Sequence, residues 1–195
     1  MKKKTWRRVQ AVLIPIFIMI LAAGCGKQAD ASLHQGEFFV MDTIAQWQMY
    51  APEEVAGKIE VLARDVENSL SATIEQSDVA KLNAAQGEQV QMGEFAKEAL
   101  TQAQMYAQNS NGAFDYALGK VITLWDIPGG KQVLPEDGAI KEALSASGYT
   151  NVRQENDKVA LQNNVQIDLG ALGKGYLTDK IYELLKEEKI ESALI

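Results

Sequence analysis

The segment Ile167-Asp168-Leu169-Gly170-Ala171-Leu172-Gly173-Lys174-Gly175-Tyr176 constrains this chain more than any other stretch. Val165 to Leu169 reads as a strand, and it delivers the Asp168 carboxylate into a glycine-rich turn, Gly170 to Gly175. That turn bears Lys174 and opens a helix predicted over Tyr176 to Lys189. Free amides at a helix N-terminus together with a lysine favour a phosphate or a pyrophosphate. A tight strand-to-helix turn with Lys174 in solvent accounts for the same residues. The spacing G-x-x-G-x-G matches neither the dinucleotide fingerprint G-x-G-x-x-G nor the Walker A loop. A strand feeding a helix in this way belongs to a mixed fold rather than to an all-α or all-β one.

The neighbouring elements agree. Ile44-Ala45-Gln46-Trp47-Gln48-Met49-Tyr50 alternates as a strand, preceded by the apolar Phe38-Phe39-Val40 and ended by Pro52. Glu53 and Glu54 suit the first turn of a helix, along which Val55, Ile59, Leu62, Val66 and Leu70 form one stripe. A second helix, Glu94 to Asn109, aligns Ala96, Leu100, Ala103 and Ala107 and breaks at Ser110-Asn111-Gly112. Pro128-Gly129-Gly130 marks a loop, and Pro135 to Gly148 a short helix closed by glycine. Asn151 to Arg153, Lys158 to Gln162 and Val165 to Leu169 read as three short strands, the last two joined at Asn163-Asn164. The chain stops on Ala193-Leu194-Ile195, the apolar start of a further strand, and so reads as the first part of a longer domain. With 195 residues, 47% of them apolar, the expected fold class is α+β: a single mixed α/β domain with a central β-sheet and flanking helices.

The beginning of the chain is different in kind. Five basic residues and no acid precede an apolar run from Ala11 to Ala23, then Gly24-Cys25-Gly26. Basic, apolar and small residues in that order describe a secretory signal, and the run is short for a membrane span. Leu21-Ala22-Ala23-Gly24-Cys25 resembles a bacterial lipobox, with its leucine one place further from the cysteine than usual. The expected organisation is a lipoprotein signal over 1–24, lipidation at Cys25, a polar tether over 25–36 holding His34, and a folded domain over 37–195. This places the protein on the extracytoplasmic face of the cell membrane, held by lipid. The rest of the chain carries 14 basic against 26 acidic residues, which disfavours nucleic acid as a partner. One cysteine and one histidine exclude a disulfide scaffold and a multi-histidine metal site.

Two further segments carry polar groups between apolar ones. Met41-Asp42-Thr43 is by itself a strand edge or a turn. Asn111-Gly112-Ala113-Phe114-Asp115 is either a helix C-cap with an Asx turn or a place where backbone closely approaches a ligand. In order along the chain, Met41-Asp42-Thr43, Leu70-Ser71 with Ser77-Asp78-Val79-Ala80-Lys81-Leu82-Asn83, Gly112-Ala113-Phe114-Asp115 with Leu124-Trp125, and Asp168-Leu169-Gly170-Ala171 with Lys174-Gly175-Tyr176 and Asp179 resemble the ApbE family of FAD:protein FMN transferases. The resemblance extends over residues 38–195.

What the resemblance implies is an α+β fold of that family, related to the T-fold, and an enzyme that uses FAD as substrate and Mg2+ as cofactor. FMN is moved from FAD to a threonine or serine hydroxyl of a partner flavoprotein, and AMP is released. By the same resemblance Met41, Thr73, Ala113, Phe114, Asp115, Asp168 and Lys174 contact FAD, and the carbonyl of Ala171 is a magnesium ligand. No catalytic base is assigned to any residue. Asp42 stands where the family usually has glycine, and Thr73 where it has an aromatic residue. The remaining metal ligands and a catalytic histidine of the family fall beyond the sequence given, so no FMN transfer is expected from residues 26–195 by themselves. Composition and a lipoprotein signal also fit a membrane-anchored nucleotide- or small-ligand-binding protein without catalysis.

Targeting is testable directly. Cells given a palmitate analogue should label the protein at Cys25, and Cys25→Ser should abolish the label; label that survives the substitution excludes Cys25 as the acylated residue.

Overall fold

The computed structural model describes residues 32–126 and 134–195. The signal segment, Cys25 and the loop at Pro128-Gly129-Gly130 lie outside them. The first element is a hairpin, β1 (Ser32–Val40) paired antiparallel with β2 (Thr43–Ala51), with Val40 opposite Thr43. A two-residue hairpin turn of type I′ needs both residues at positive φ. Met41 and Asp42 supply φ of 50° and 57°, although neither is glycine. One face is buried through Val40, Met49 and Ala51. On that face Trp47 lies directly opposite Gly36, and a Cβ on Gly36 would stand 2.6 Å from the indole. The glycine is thus the seat of the tryptophan. The expected tether over 25–36 is corrected here: from Ser32 onward the chain is strand, with His34 half-buried opposite Met49 and its Nε2 2.6 Å from Ser32 Oγ.

Pro52 precedes α1 (Glu53–Leu70), whose buried stripe is Val55, Ile59, Ala63, Val66 and Leu70. The stripe differs from the expected one at one step, since Ala63 is fully buried and Leu62 only partly. The chain then turns into α2 (Asp78–Ala84), capped by Ser77, whose Oγ accepts the Ala80 N–H at 2.9 Å and donates to the Ser71 carbonyl. β3 (Val90–Gln91) leads to α3 (Glu94–Asn109), whose alanine face is buried as expected. Asn111 and Gly112, both at positive φ, end that helix, and the Gly112 N–H bonds the Ala107 carbonyl at 2.8 Å. α4 (Gly119–Trp125) and α5 (Asp137–Ser145) follow, then the hairpin of β4 (Val152–Glu155) and β5 (Lys158–Leu161). The chain ends with α6 (Gly170–Glu187) and β6 (Ala193–Leu194).

The sheets are two, each of three antiparallel strands among the described residues, ordered β1-β2-β6 and β3-β5-β4. The mixed α/β architecture is as expected, with these two small sheets in place of one central sheet. α1 is the common packing partner of β1, α2, α3 and α6, and the core lies between them.

Two expectations are corrected at the glycine-rich segment. Val165 to Leu169 pairs with no strand, and Leu169, with ψ of 10°, is not extended. The segment's backbone is held instead by three separate elements. Asn83 Nδ2 donates to the Ile167 carbonyl at 2.9 Å and Asn83 Oδ1 accepts the Ile167 N–H at 2.8 Å. The Gly119 N–H donates to the Gln166 carbonyl, and the Asp168 N–H to the Tyr116 carbonyl, both at 2.9 Å. Gly119 must be glycine for this, because a Cβ would stand 2.9 Å from the backbone of Gln166. Second, Gly170 to Gly175 is no turn: α6 begins at Gly170. Leu169 supplies the first helical acceptor, with the Gly173 N–H at 2.7 Å.

Asn83→Ala leaves both polar groups of the buried Ile167 without their partner, so urea unfolding should show a loss of about 2–4 kcal/mol. A loss near zero excludes this clamp. A second expectation concerns acid. Burial pushes the Tyr176 hydroxyl well above its ordinary range. Remaining protonated, it donates to Glu98 at 2.8 Å, and Lys180 Nζ stands 2.7 Å from the same oxygen. The hydrogen bonds from Lys180 and Tyr176 hold the Glu98 carboxyl below its ordinary value. A depressed carboxyl contributes stability that is present above its unfolded value and is lost as pH falls through the folded one. Unfolding at about pH 7 and about pH 3 should therefore show a smaller acid loss for Glu98→Gln than for the unaltered chain. An equal loss removes this cluster from the acid response.

Candidate functional site

A cleft of about 240 Å³ opens where the hairpin tip, the end of α1, the loop after it and the start of α6 meet. Met41, Asp42, Glu67, Ser71, Thr73, Asp168, Gly170, Gly173 and Lys174 are among its lining residues. Each wall has a local reason for its shape. The Met41–Asp42 turn is bonded to α1, since Glu67 Oε1 accepts the Met41 N–H at 2.6 Å. Met41 also lies over α6, where its Sδ would be 3.4 Å from a Cβ on Gly173, within van der Waals contact. Thr73 is exposed on a loop shaped by Ser71 Oγ, which accepts the N–H groups of Thr73 and Ile74 at 3.1 Å each.

Asp168 forms the floor. Its Oδ1 accepts the Gly170 N–H at 2.7 Å, and a Cβ on Gly170 would come within 2.9 Å of that oxygen. The first amide of α6 is therefore satisfied by the chain's own carboxylate, which stands where an anion is favoured. Lys174, one turn into α6, is exposed at the cleft and is its lining cation. Ala171 is exposed in the first turn of the same helix, and a carbonyl there keeps one lone pair beyond its helical bond.

The structure thus brings Met41, Thr73, Asp168 and Lys174 into one cleft. Ala113, Phe114 and Asp115 stand beside it rather than in its lining. Asp115 Oδ1 accepts the Ala117 N–H at 2.8 Å and Oδ2 the Tyr149 N–H at 3.2 Å, so its carboxylate ties this corner to a distant turn. Phe114 packs edge-on against Tyr106, with ring centroids 6.3 Å apart. The corner reaches the cleft through one bond, from the Asp168 N–H to the Tyr116 carbonyl. Glu67 was not singled out by the sequence: it reads as an ordinary helix carboxylate, and its partner lies 26 residues away. Among the described residues no three His, Cys, Asp or Glu side chains gather as a metal site.

Comparisons with known proteins lead in one direction. The FAD:protein FMN transferase of Treponema pallidum (strain Nichols) is 31% identical, over 93% of this chain and 55% of its own length. That of Klebsiella pneumoniae (strain 342) is 25% identical, over 76% of this chain and 48% of its own. The chain spans about half the length of the curated relatives it matches. In structure, it is similar to the ApbE protein of Thermotoga maritima, with a TM-score of 0.77 and 28% identity over 83% of this chain and 55% of that one. The apo flavinyl transferase ApbE of Pseudomonas stutzeri shares the fold, with a TM-score of 0.76 and 22% identity over 84% of this chain and 54% of its own. The sequence model of the ApbE family matches residues 41–195, from the hairpin tip through the whole of the cleft, and the chain belongs to that family.

Proposed function

We propose that this chain is the FAD-binding part of an FAD:protein FMN transferase, lipid-anchored at Cys25 on the extracytoplasmic face of the membrane. The observation that carries the reading is the convergence of Met41, Thr73, Asp168 and Lys174 on one cleft at the head of α6. In the reaction proposed, a threonine or serine hydroxyl of a partner flavoprotein attacks the phosphorus on the riboflavin side of the FAD pyrophosphate. A new P–O bond forms, the bridging P–O bond breaks with its electron pair to the departing AMP, and the hydroxyl proton is released. Such a reaction needs a held pyrophosphate and neutralised charge more than covalent help.

Lys174 is the residue suited to that charge. Its ammonium stands at the N-terminal end of α6, where the helix dipole adds to the attraction for phosphate oxygens. Asp168 fixes the helix start through Gly170, so the lysine is presented from a rigid element rather than from a loop. Met41 and Thr73 both line the cleft, where a planar ring of the ligand would meet them.

Magnesium dependence belongs to the same reading, and the metal, when bound, would neutralise phosphate charge. A carbonyl such as that of Ala171 suits a hard cation, but one carbonyl is not a site. The described residues do not gather the side chains to complete one, so no step is derived through the metal.

The test is FAD binding by the full chain, read by quenching of flavin fluorescence. Lys174→Ala should weaken it by about 1–3 kcal/mol, the range for a hydrogen bond to a charged group. Lys174→Arg should restore part of the loss, because a planar guanidinium does not replace a compact ammonium beside close-packed backbone. Lys174 is exposed, so neither change should move the melting temperature. Affinity unaltered in both variants would remove this cleft from FAD binding.

A further inference from the structure

We infer that Glu67 is a positioning residue of the FAD cleft, acting through the Met41–Asp42 turn and not by contact with the ligand; the inference rests on the FAD-binding reading above. The turn has a built-in difficulty. Two consecutive non-glycine residues, Met41 and Asp42, stand at φ of 50° and 57°. Two-residue hairpin turns of this kind favour Asn-Gly or Asp-Gly, because side chains at positive φ crowd their own backbone. Strain of this sort persists where the surroundings over-determine it.

Glu67 supplies that determination. The paired ends Val40 and Thr43 close the ladder, leaving the Met41 N–H outside it, and this is the group that Glu67 Oε1 accepts at 2.6 Å. A carboxylate acceptor makes the bond stronger than one between neutral groups. Its own position is fixed, because Val66 beside it and Leu70 one turn on are buried in the core stripe of α1. The far side of the turn is held by Met41 against Gly173 of α6. The hairpin tip is therefore fastened at one point to α1 and at another to α6, and both points lie in the cleft wall. Removal of the α1 fastening frees the tip to relax, and Met41 leaves the place from which it faces a bound ring.

A double-substitution experiment on the full chain separates this role from its rivals. FAD affinity by fluorescence quenching and melting temperature are measured for the unaltered chain, Glu67→Ala, Asp42→Gly and the double variant. Glu67→Ala should raise the FAD dissociation constant about tenfold, and the same change in the Asp42→Gly background should raise it less than about threefold, because glycine holds the turn without strain. Glu67→Gln, which keeps an acceptor oxygen, should fall between Glu67→Ala and the unaltered chain. An equal loss in both backgrounds means that Glu67 touches FAD itself, and overturns the inference. A lowered melting temperature with unchanged affinity assigns Glu67 to stability alone, and also overturns it. No saturable FAD binding by the unaltered chain overturns the functional reading, and this inference with it.

Discussion

One side-chain amide stands in for a strand. Asn83 gives Ile167 both a donor and an acceptor, and in doing so satisfies the backbone of a residue whose side chain is fully buried. Without that pair, the segment from Val165 to Leu169 would run through the core with polar groups that water cannot reach. With it, and with Gly119 and Tyr116 bonding the residues on either side, four backbone groups on three consecutive residues are fixed from three elements. Asp168 therefore arrives at one height beside the cleft, and the start of α6 follows from it through Gly170. The dependence extends backward as well. Asn83 is placed by the seven-residue helix α2, and α2 is held by the fully buried Ser77, which bonds both its own helix and the Ser71 carbonyl. The loop that carries Thr73 and the floor that carries Asp168 are thus two ends of one chain of hydrogen bonds.

The helices were legible in the sequence because their reasons are local. α1 and α3 bury a stripe at helical spacing, and their bounds, from acidic first turns to the break at Asn111-Gly112, are written in neighbouring residues. The segment at Val165 to Leu169 shows a strand's alternation but not what it pairs with, since an amide from α2, the first N–H of α4 and a loop carbonyl leave no periodic mark. The glycines of α6 misled for a related reason. Gly170 and Gly173 read as turn residues, yet both are helical, Gly170 with the Asp168 carboxylate close against it and Gly173 with Met41 packed over it. The cooperative weight of Tyr176, Leu177, Ile181 and Leu185 carries the helix back through them. The tether failed where β1 begins because its strand residues, Ser32, Leu33, His34 and Gln35, do not alternate apolar with polar, and β2 pairs with them through backbone alone.

For the cleft, sequence order gave the residues and not their grouping. Met41, Thr73, Asp168 and Lys174 are drawn together by α1 and α6 packing side by side, a contact between segments far apart in the chain. Asp115 shows the opposite case. Its carboxylate fits an Asx turn, the commoner use of such a residue, or a ligand, and both of its oxygens accept backbone N–H groups. The next residue's carbonyl, accepting the Asp168 N–H, links it to the cleft.

The charges of the cleft look ill suited to a pyrophosphate if they are merely counted, since Asp42, Glu67 and Asp168 face a single Lys174. Their bonding changes the sum. Glu67 directs an oxygen at the Met41 N–H and Asp168 directs one at Gly170, so each has its charge drawn toward a backbone dipole inside the wall. A carboxylate held on an amide presents a weaker field to the cleft than one pointing freely into it, because the partial positive charge of the N–H lies beside it. Asp42 is exposed at the hairpin tip, where water and salt screen it most. Lys174 is the cation that a ligand meets at the head of α6. The same two bonds that build the walls also soften them electrostatically, which ties the geometry of this cleft to the anion binding proposed for it.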